Sequence, residues 1–129
     1  MRYLILIILL FFNSKILLAA CPSGDDGQTV NILSGDSCTT RISNPQSTIN
    51  VAGSLIVNSG DGAIYFNTGS HNLTITGTVK NTNTGTSHGI RDVATNVTSV
   101  TISGNGSVTG NVAGYYNEGS NVSLTTNQS

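Results

Sequence analysis

After residue 29 the chain alternates short apolar side chains with small polar ones. In Leu73-Thr74-Ile75 and Val100-Thr101-Ile102 this sends aliphatic groups to one face of a strand and Thr to the other. The strands are short, and Gly or Asn punctuates them where a turn needs positive φ. The wording also comes round again. "INVAGSLIV" (49–57), "LTITGTVKN" (73–81) and "VTISGNGSV" (100–108) share an apolar–polar–apolar–small–Gly opening. On that alignment Ile49, Leu73 and Val100 correspond, as do Val51, Ile75 and Ile102, with Gly53, Gly77 and Gly104 in register. A further start falls at Val122, and "VNILSG" (30–35) is a degenerate earlier copy upstream of Ile49.

A second apolar set follows in each unit: "GDGAIYF" (60–66), "SHGIRDV" (87–93) and "VAGYYNE" (112–118), with Gly62, Gly89 and Gly114 near one phase. A hairpin meander requires tight Asn-Gly-type turns between neighbouring strands, and Asn105-Gly106 is the only Asn-Gly dipeptide here. A unit of roughly 25 residues instead suits one circuit of two or three short strands stacked on the last. The pattern therefore predicts an all-β solenoid of about four coils, a rod ~20 Å long at ~4.8 Å per coil. The last repeat stops at "TTNQS" without a cap, which leaves an open edge and predicts that the repeats of 47–129 are incomplete at the C-terminus.

Residues 1–20 follow a different pattern. Arg2 precedes an apolar run from Tyr3 to Phe12, a polar break at 13–15, and a small-residue exit at Ala19-Ala20. That is the layout of a cleaved secretory signal; a membrane span needs ~20 apolar residues in a row, and Lys15 interrupts them. Residues 21–46 then form an N-terminal cap. "LAAC" (18–21) admits two readings. Cys21 pairs with Cys38 in an oxidising compartment, closing a loop that limits the unfolded ensemble by about 3 kcal/mol. Alternatively Cys21 is a lipidated first residue. Lipidation strands Cys38 and sets Pro22 in an unusual position, so the disulfide is favoured. Both readings place the mature chain outside the cytoplasm.

Composition narrows the function classes. Asn, Ser, Thr and Gly make up more than half of the chain after Ala20, where Arg41, Lys80 and Arg91 face six acidic residues, a net of −3. So few cations cannot neutralise a run of phosphates, nor do they cluster for anionic lipid. His71 and His88 stand apart, with no Cys nearby, and read as solvated turn residues. "NSGDGA" (58–63) and "SGDDGQ" (23–28) resemble calcium loops in composition but lack the tandem spacing that shares an ion between turns. Neither a metal nor a cofactor is expected. Asp61 and the Arg91-Asp92 pair fall in the second segment of adjacent units and supply an ion pair, short of the paired carboxylates that glycan cleavage requires. Tyr65, Tyr115 and Tyr116 share that segment. An exposed pair suits stacking on a sugar or a protein, while the plainer expectation turns one of Tyr115 and Tyr116 inward.

A signal, a Cys-bounded opening and Thr/Asn/Gly-rich units of the "LTITGTV" kind together resemble the start of a bacterial autotransporter passenger domain. That resemblance covers residues 21–129 and implies a right-handed parallel β-helix on a cell surface, often adhesive, exported through a C-terminal barrel on the same chain. The chain departs from the pattern in having no series of amphipathic ~10-residue membrane strands. The expected function is then a secreted or surface, non-catalytic, adhesin-like module. Its partner would be an unidentified host-cell or surface ligand, protein or glycan, with no nucleic acid involved. A polysaccharide-active β-helix enzyme and a small lipoprotein anchored through Cys21 are the alternatives.

Overall fold

The computed structural model describes residues 21–22, 29–43, 48–93, 97–118 and 123–127. The proposed signal, the 23–28 loop and Val122 lie outside them. The described residues hold thirteen strands: β1 (Val30–Ile32), β2 (Ser37–Cys38), β3 (Ile42–Ser43), β4 (Thr48–Val51), β5 (Ser54–Val57), β6 (Gly62–Phe66), β7 (Gly69–Ile75), β8 (Thr78–Asn81), β9 (His88–Asp92), β10 (Val97–Ser103), β11 (Ser107–Thr109), β12 (Ala113–Asn117) and β13 (Ser123–Asn127). They assemble into three parallel sheets, in the orders β1-β4-β7-β10-β13, β11-β8-β5-β2 and β12-β9-β6-β3. Each strand thus pairs with the strand three places on, and the chain visits the three sheets in turn. This is a parallel β-helix of four three-strand coils, with β13 opening a fifth. The segment expected to be a cap carries β1, β2 and β3 and pairs directly with the next coil.

Alternation builds the core. In the first sheet Val30, Ile49, Leu73 and Ile102 lie above one another, beside Ile32, Val51 and Ile75. Cys38, Leu55, Val79 and Val108 form the column of the second sheet, and Ile42, Ile64, Ile90 and Tyr115 that of the third. Nearly all these aliphatic side chains are fully buried. Removing such a methylene-rich group from water contributes about 1.5–3 kcal/mol, and no coil could bury its apolar face alone.

The corner between the first and second sheets explains one set of glycines. The N–H groups of Thr76 and Gly77 both donate to the Val51 carbonyl, and those of Ala52 and Gly53 to the Ile32 carbonyl. Coils approach so closely here that a Cβ on Gly77 would land on the Gly53 carbonyl oxygen, and one on Gly106 on that of Gly77.

The register corrects the repeat alignment at the fourth coil. Ile49 does pair with Leu73, as the repeat wording predicts. Leu73, however, pairs with Ile102, and Val100 with His71 and Leu124. The stacked glycine is Gly106; Gly104 sits two places earlier at φ +98°. In the third sheet Gly62 lies over His88, one place from Gly89. The mismatch at the fourth coil is an even one, of two places, so the assignment of inward and outward faces survives it.

Candidate functional site

The outer face of the third sheet is built by residues one place from its core column. Tyr65 pairs with Arg91, and Arg91 with Tyr116, so an aromatic–cationic–aromatic ladder climbs three coils. Arg41, just before β3, extends it downward, with its guanidinium 4.2 Å from the Tyr65 ring centroid. Arg91 joins the coils: one nitrogen lies 2.5 Å from Asp61 Oδ2 and another donates to Glu118 Oε1 at 2.7 Å. Burial opposes the Arg91 charge, but the Glu118 bond and the fields of Glu118 and Asp61 outweigh it and hold the guanidinium above its ordinary pKa.

His88 lies on this face as well. Its ring stacks on Tyr116 with centroids 4.4 Å apart and planes 9° from parallel. It is 3 % exposed, and burial, followed by the Arg91 charge, depresses its pKa against the opposing pull of Asp61 and Glu118. Its Nδ1 and Arg91 Nε are buried without a hydrogen-bond partner. Asp61, Thr86, His88, Arg91, Tyr116 and Glu118, with Val112 at the rim, line an open groove of about 390 Å³. The Tyr116 side chain is 39 % exposed.

A ridge bounds the groove. Residues 82–87, between β8 and β9, make the longest connection at this corner. Asn residues brace it: Asn81 Oδ1 accepts from the Asn83 N–H, and Asn83 Oδ1 from the Gly85 N–H. The Asn81 and Asn83 side-chain amides donate to the Gly60 carbonyl. Ser87 Oγ donates to the Asn83 carbonyl, and the Asn111 amide to those of Thr84 and Gly85. A shallower groove lined by Lys80, Thr82, Thr84, Thr109 and Asn111 lies on the ridge's other flank.

The structure sorts the residues singled out in the sequence. Cys21 and Cys38 form a disulfide that ties the start of the described chain to β2. Tyr65 and Tyr116 face outward together. Tyr115 turns inward, packs against the core and donates its hydroxyl to Asp92 Oδ2 at 2.5 Å, so it leaves the surface-binding set. Asp92 leaves the surface too: it is fully buried beneath β9, because the side chain after outward Arg91 points in. Both histidines depart from the solvated-turn expectation. His71 stacks on Phe66 inside the helix, centroids 3.9 Å apart, with Nε2 2.7 Å from the Thr68 carbonyl oxygen. The 58–61 segment is a turn, with Gly60 at φ +62° and Asp61 committed to Arg91. Among the described residues no group of three or more His, Cys, Asp and Glu converges as metal ligands, and no helix is long and apolar enough to cross a membrane.

Sequence reasoning missed Glu118, His88 and the Asn81–Asn83–Asn111 brace. The signal for Glu118 was its place in "VAGYYNE", two places past Tyr116 and one repeat from Arg91-Asp92. Fold and site together define a short three-sheeted parallel β-helix with one charged, aromatic face. No family model, curated protein or solved structure matches the chain.

Proposed function

We propose that the protein is a secreted or surface-displayed β-solenoid of adhesin type, which binds through the outer face of its third sheet and does not catalyse. The observation that carries this reading is convergence. Arg41, Asp61, Arg91 and Glu118, four of the seven charged residues in the described chain, lie on or border that face with the two outward tyrosines. The Cys21–Cys38 disulfide suits an oxidising compartment outside the cytoplasm and occupies the sulfur that lipidation would need. The stacked parallel coils fit the architecture of an autotransporter passenger, and a translocating barrel on the same chain would be its means of display.

A polysaccharide-cleaving reading draws on Asp61 and Glu118, which flank one groove. Both are engaged by the same Arg91 guanidinium, so neither stands free as half of the separated acid and base pair that glycan cleavage requires. The test has two arms. Thiol labelling and protease shaving of intact producing cells should find the chain oxidised and accessible; a reduced, cytoplasmic chain overturns the display reading. Purified disulfide-bonded protein should bind cultured epithelial cells saturably, with binding lost when 82–87 is replaced by a Gly/Ser loop of equal length. Turnover of a polysaccharide that vanishes in Glu118→Gln would replace binding with catalysis.

A further inference from the structure

We propose that the Asp61–His88–Arg91–Tyr116–Glu118 groove is a binding site for an uncharged, linear glycan laid along the stacking direction of the coils. This rests on the binding reading above and names its ligand class. Charge is the first argument. Arg91 is consumed by two carboxylates and Arg41 by the face of Tyr65. The four charges on this face sum to zero, and His88 stays neutral near pH 7 because burial lowers its pKa. An anionic chain finds no free cation here, and a cation finds its place between the carboxylates taken by Arg91.

What remains available is what a sugar uses. A carboxylate holding one Arg nitrogen keeps lone pairs for hydroxyl donors, and such charge-assisted bonds are the stronger kind. Asp61 and Glu118 are both tethered by Arg91, so they are oriented before a ligand arrives. Thr86 adds a hydroxyl. The Tyr116 ring has one face backed by His88 and remains 39 % exposed, offering an aromatic surface to the C–H face of a pyranose. His88 is an independent pointer: it lines the groove, is 3 % exposed, and has Nδ1 unpartnered.

Repeat geometry supplies the direction. Tyr65 and Tyr116 sit two coils apart on one ladder, hence ~10 Å apart along the stack. An extended chain of pyranose rings advances about one coil spacing per sugar, so a sugar stacked on Tyr116 sets its neighbour over Arg91, and the chain leaves the groove toward Tyr65, whose ring carries the Arg41 guanidinium. The 82–87 ridge walls one side and keeps the chain from sliding across the face.

The test is direct binding of the disulfide-bonded protein to immobilised neutral linear hexasaccharides of several linkages, beside sulfated and uronic-acid chains of equal length. At least one neutral series should bind, with affinity little changed between 50 mM and 500 mM salt. Tyr116→Ala should weaken it at least tenfold and Glu118→Gln at least threefold, while Tyr116→Trp retains it and Lys80→Ala, on the other flank, leaves it unchanged. Each variant is checked for an unaltered melting transition; if Tyr116→Ala is unfolded, Tyr116→Trp and Glu118→Gln decide the outcome. Binding confined to sulfated or uronic chains, or indifferent to both Tyr116→Ala and Glu118→Gln, overturns the proposal. If cells bind the protein and no neutral glycan does, the glycan inference fails and the adhesive reading stands. If neither binds, both fail.

Discussion

The first and third sheets share one backbone plan and present opposite surfaces. Outward from the first sheet, Asn31, Asn50, Thr74 and Ser103 lie in one ladder, and Thr48, Asn72 and Thr101 in the next. All are uncharged, and neighbours bond along the stack, as Asn50 does to Asn31 at 2.8 Å and Ser103 to Thr74 at 3.4 Å. Outward from the third sheet, Tyr65, Arg91 and Tyr116 occupy equivalent ladder positions. Like-on-like polar ladders keep a stack soluble without charge. The unlike ladder meets no requirement of stacking, which makes the third face the place to look for selection by a ligand.

The largest effect should come from beneath both faces. Ile64→Ala hollows the column under the third face, where Ile64 is fully buried between Ile42 and Ile90, and should cost about 2–5 kcal/mol. Thr74→Ala on the exposed ladder of the first face should stay within about 0.5 kcal/mol. Urea unfolding measures both; similar losses would mean that the ladders, and not the columns, hold the coils together.

Next in size is the disulfide. It sits at the N-terminal coil, outside both ladders, and its reduction should cost about 3 kcal/mol. Melting with and without reductant, together with the Cys21→Ala/Cys38→Ala double variant, reads it. Tyr116 stands on the fourth coil and Cys38 on the first. If reduction also abolished binding at the third face, the coils would be acting as one cooperative unit.

How far these contrasts are legible in the sequence depends on which force sets each feature. Aliphatic alternation at Ile49, Val51, Leu73 and Ile75 is imposed by burial, and it reveals strands, faces and coil number. Register at the fourth coil is misread because "VTISG" repeats the wording of "LTITG", while the chain spends Gly104 on a positive-φ turn and stacks Gly106 on Gly77. A shift of two preserves alternation, so no pattern of polarity exposes it. The third face is only half legible. Asp61 and Arg91 are placed by phase, but alternation lapses in this sheet, where Ala63 and Ile64 are both fully buried. That irregularity brings buried His88 to the face that carries Arg91, and simple period-2 counting does not contain it, whereas Tyr115 and Asp92 turn inward in step with Ile90.

Breaking the Arg91 clasp should sharpen the contrast between faces. Arg91→Ala leaves Asp61 and Glu118 facing one groove without their counterion, and removes packing between coils. Because the pair partners lie at the surface, about 1 kcal/mol is expected, falling as salt rises. Asn50→Ala, which removes an amide bond on the first face, should cost less and show no salt dependence. A salt-independent loss at Arg91 would assign its role to packing alone.

The smallest effect is a pH dependence that only the third face should show. His88 has a folded-state pKa below its ordinary 6.5, chiefly through burial. Above that value both folded and unfolded chains hold it neutral, and it contributes nothing to the pH dependence. As pH falls below 6.5 the unfolded chain takes up the proton first, so stability should decline until pH reaches the lower folded value. At the other extreme, Tyr115 is raised by burial and by its bond to Asp92, so the unfolded chain ionises first and stability should fall as pH climbs past 10. Melting temperatures across pH 4.5–7.5, an interval chosen around that ordinary value of 6.5, should therefore slope upward, and His88→Gln should flatten the upper part of the slope while Thr74→Ala leaves it intact. An unchanged slope in His88→Gln would mean that the imidazole protonates in place, with Asp61 and Glu118 outweighing burial, and that the groove becomes cationic in mild acid.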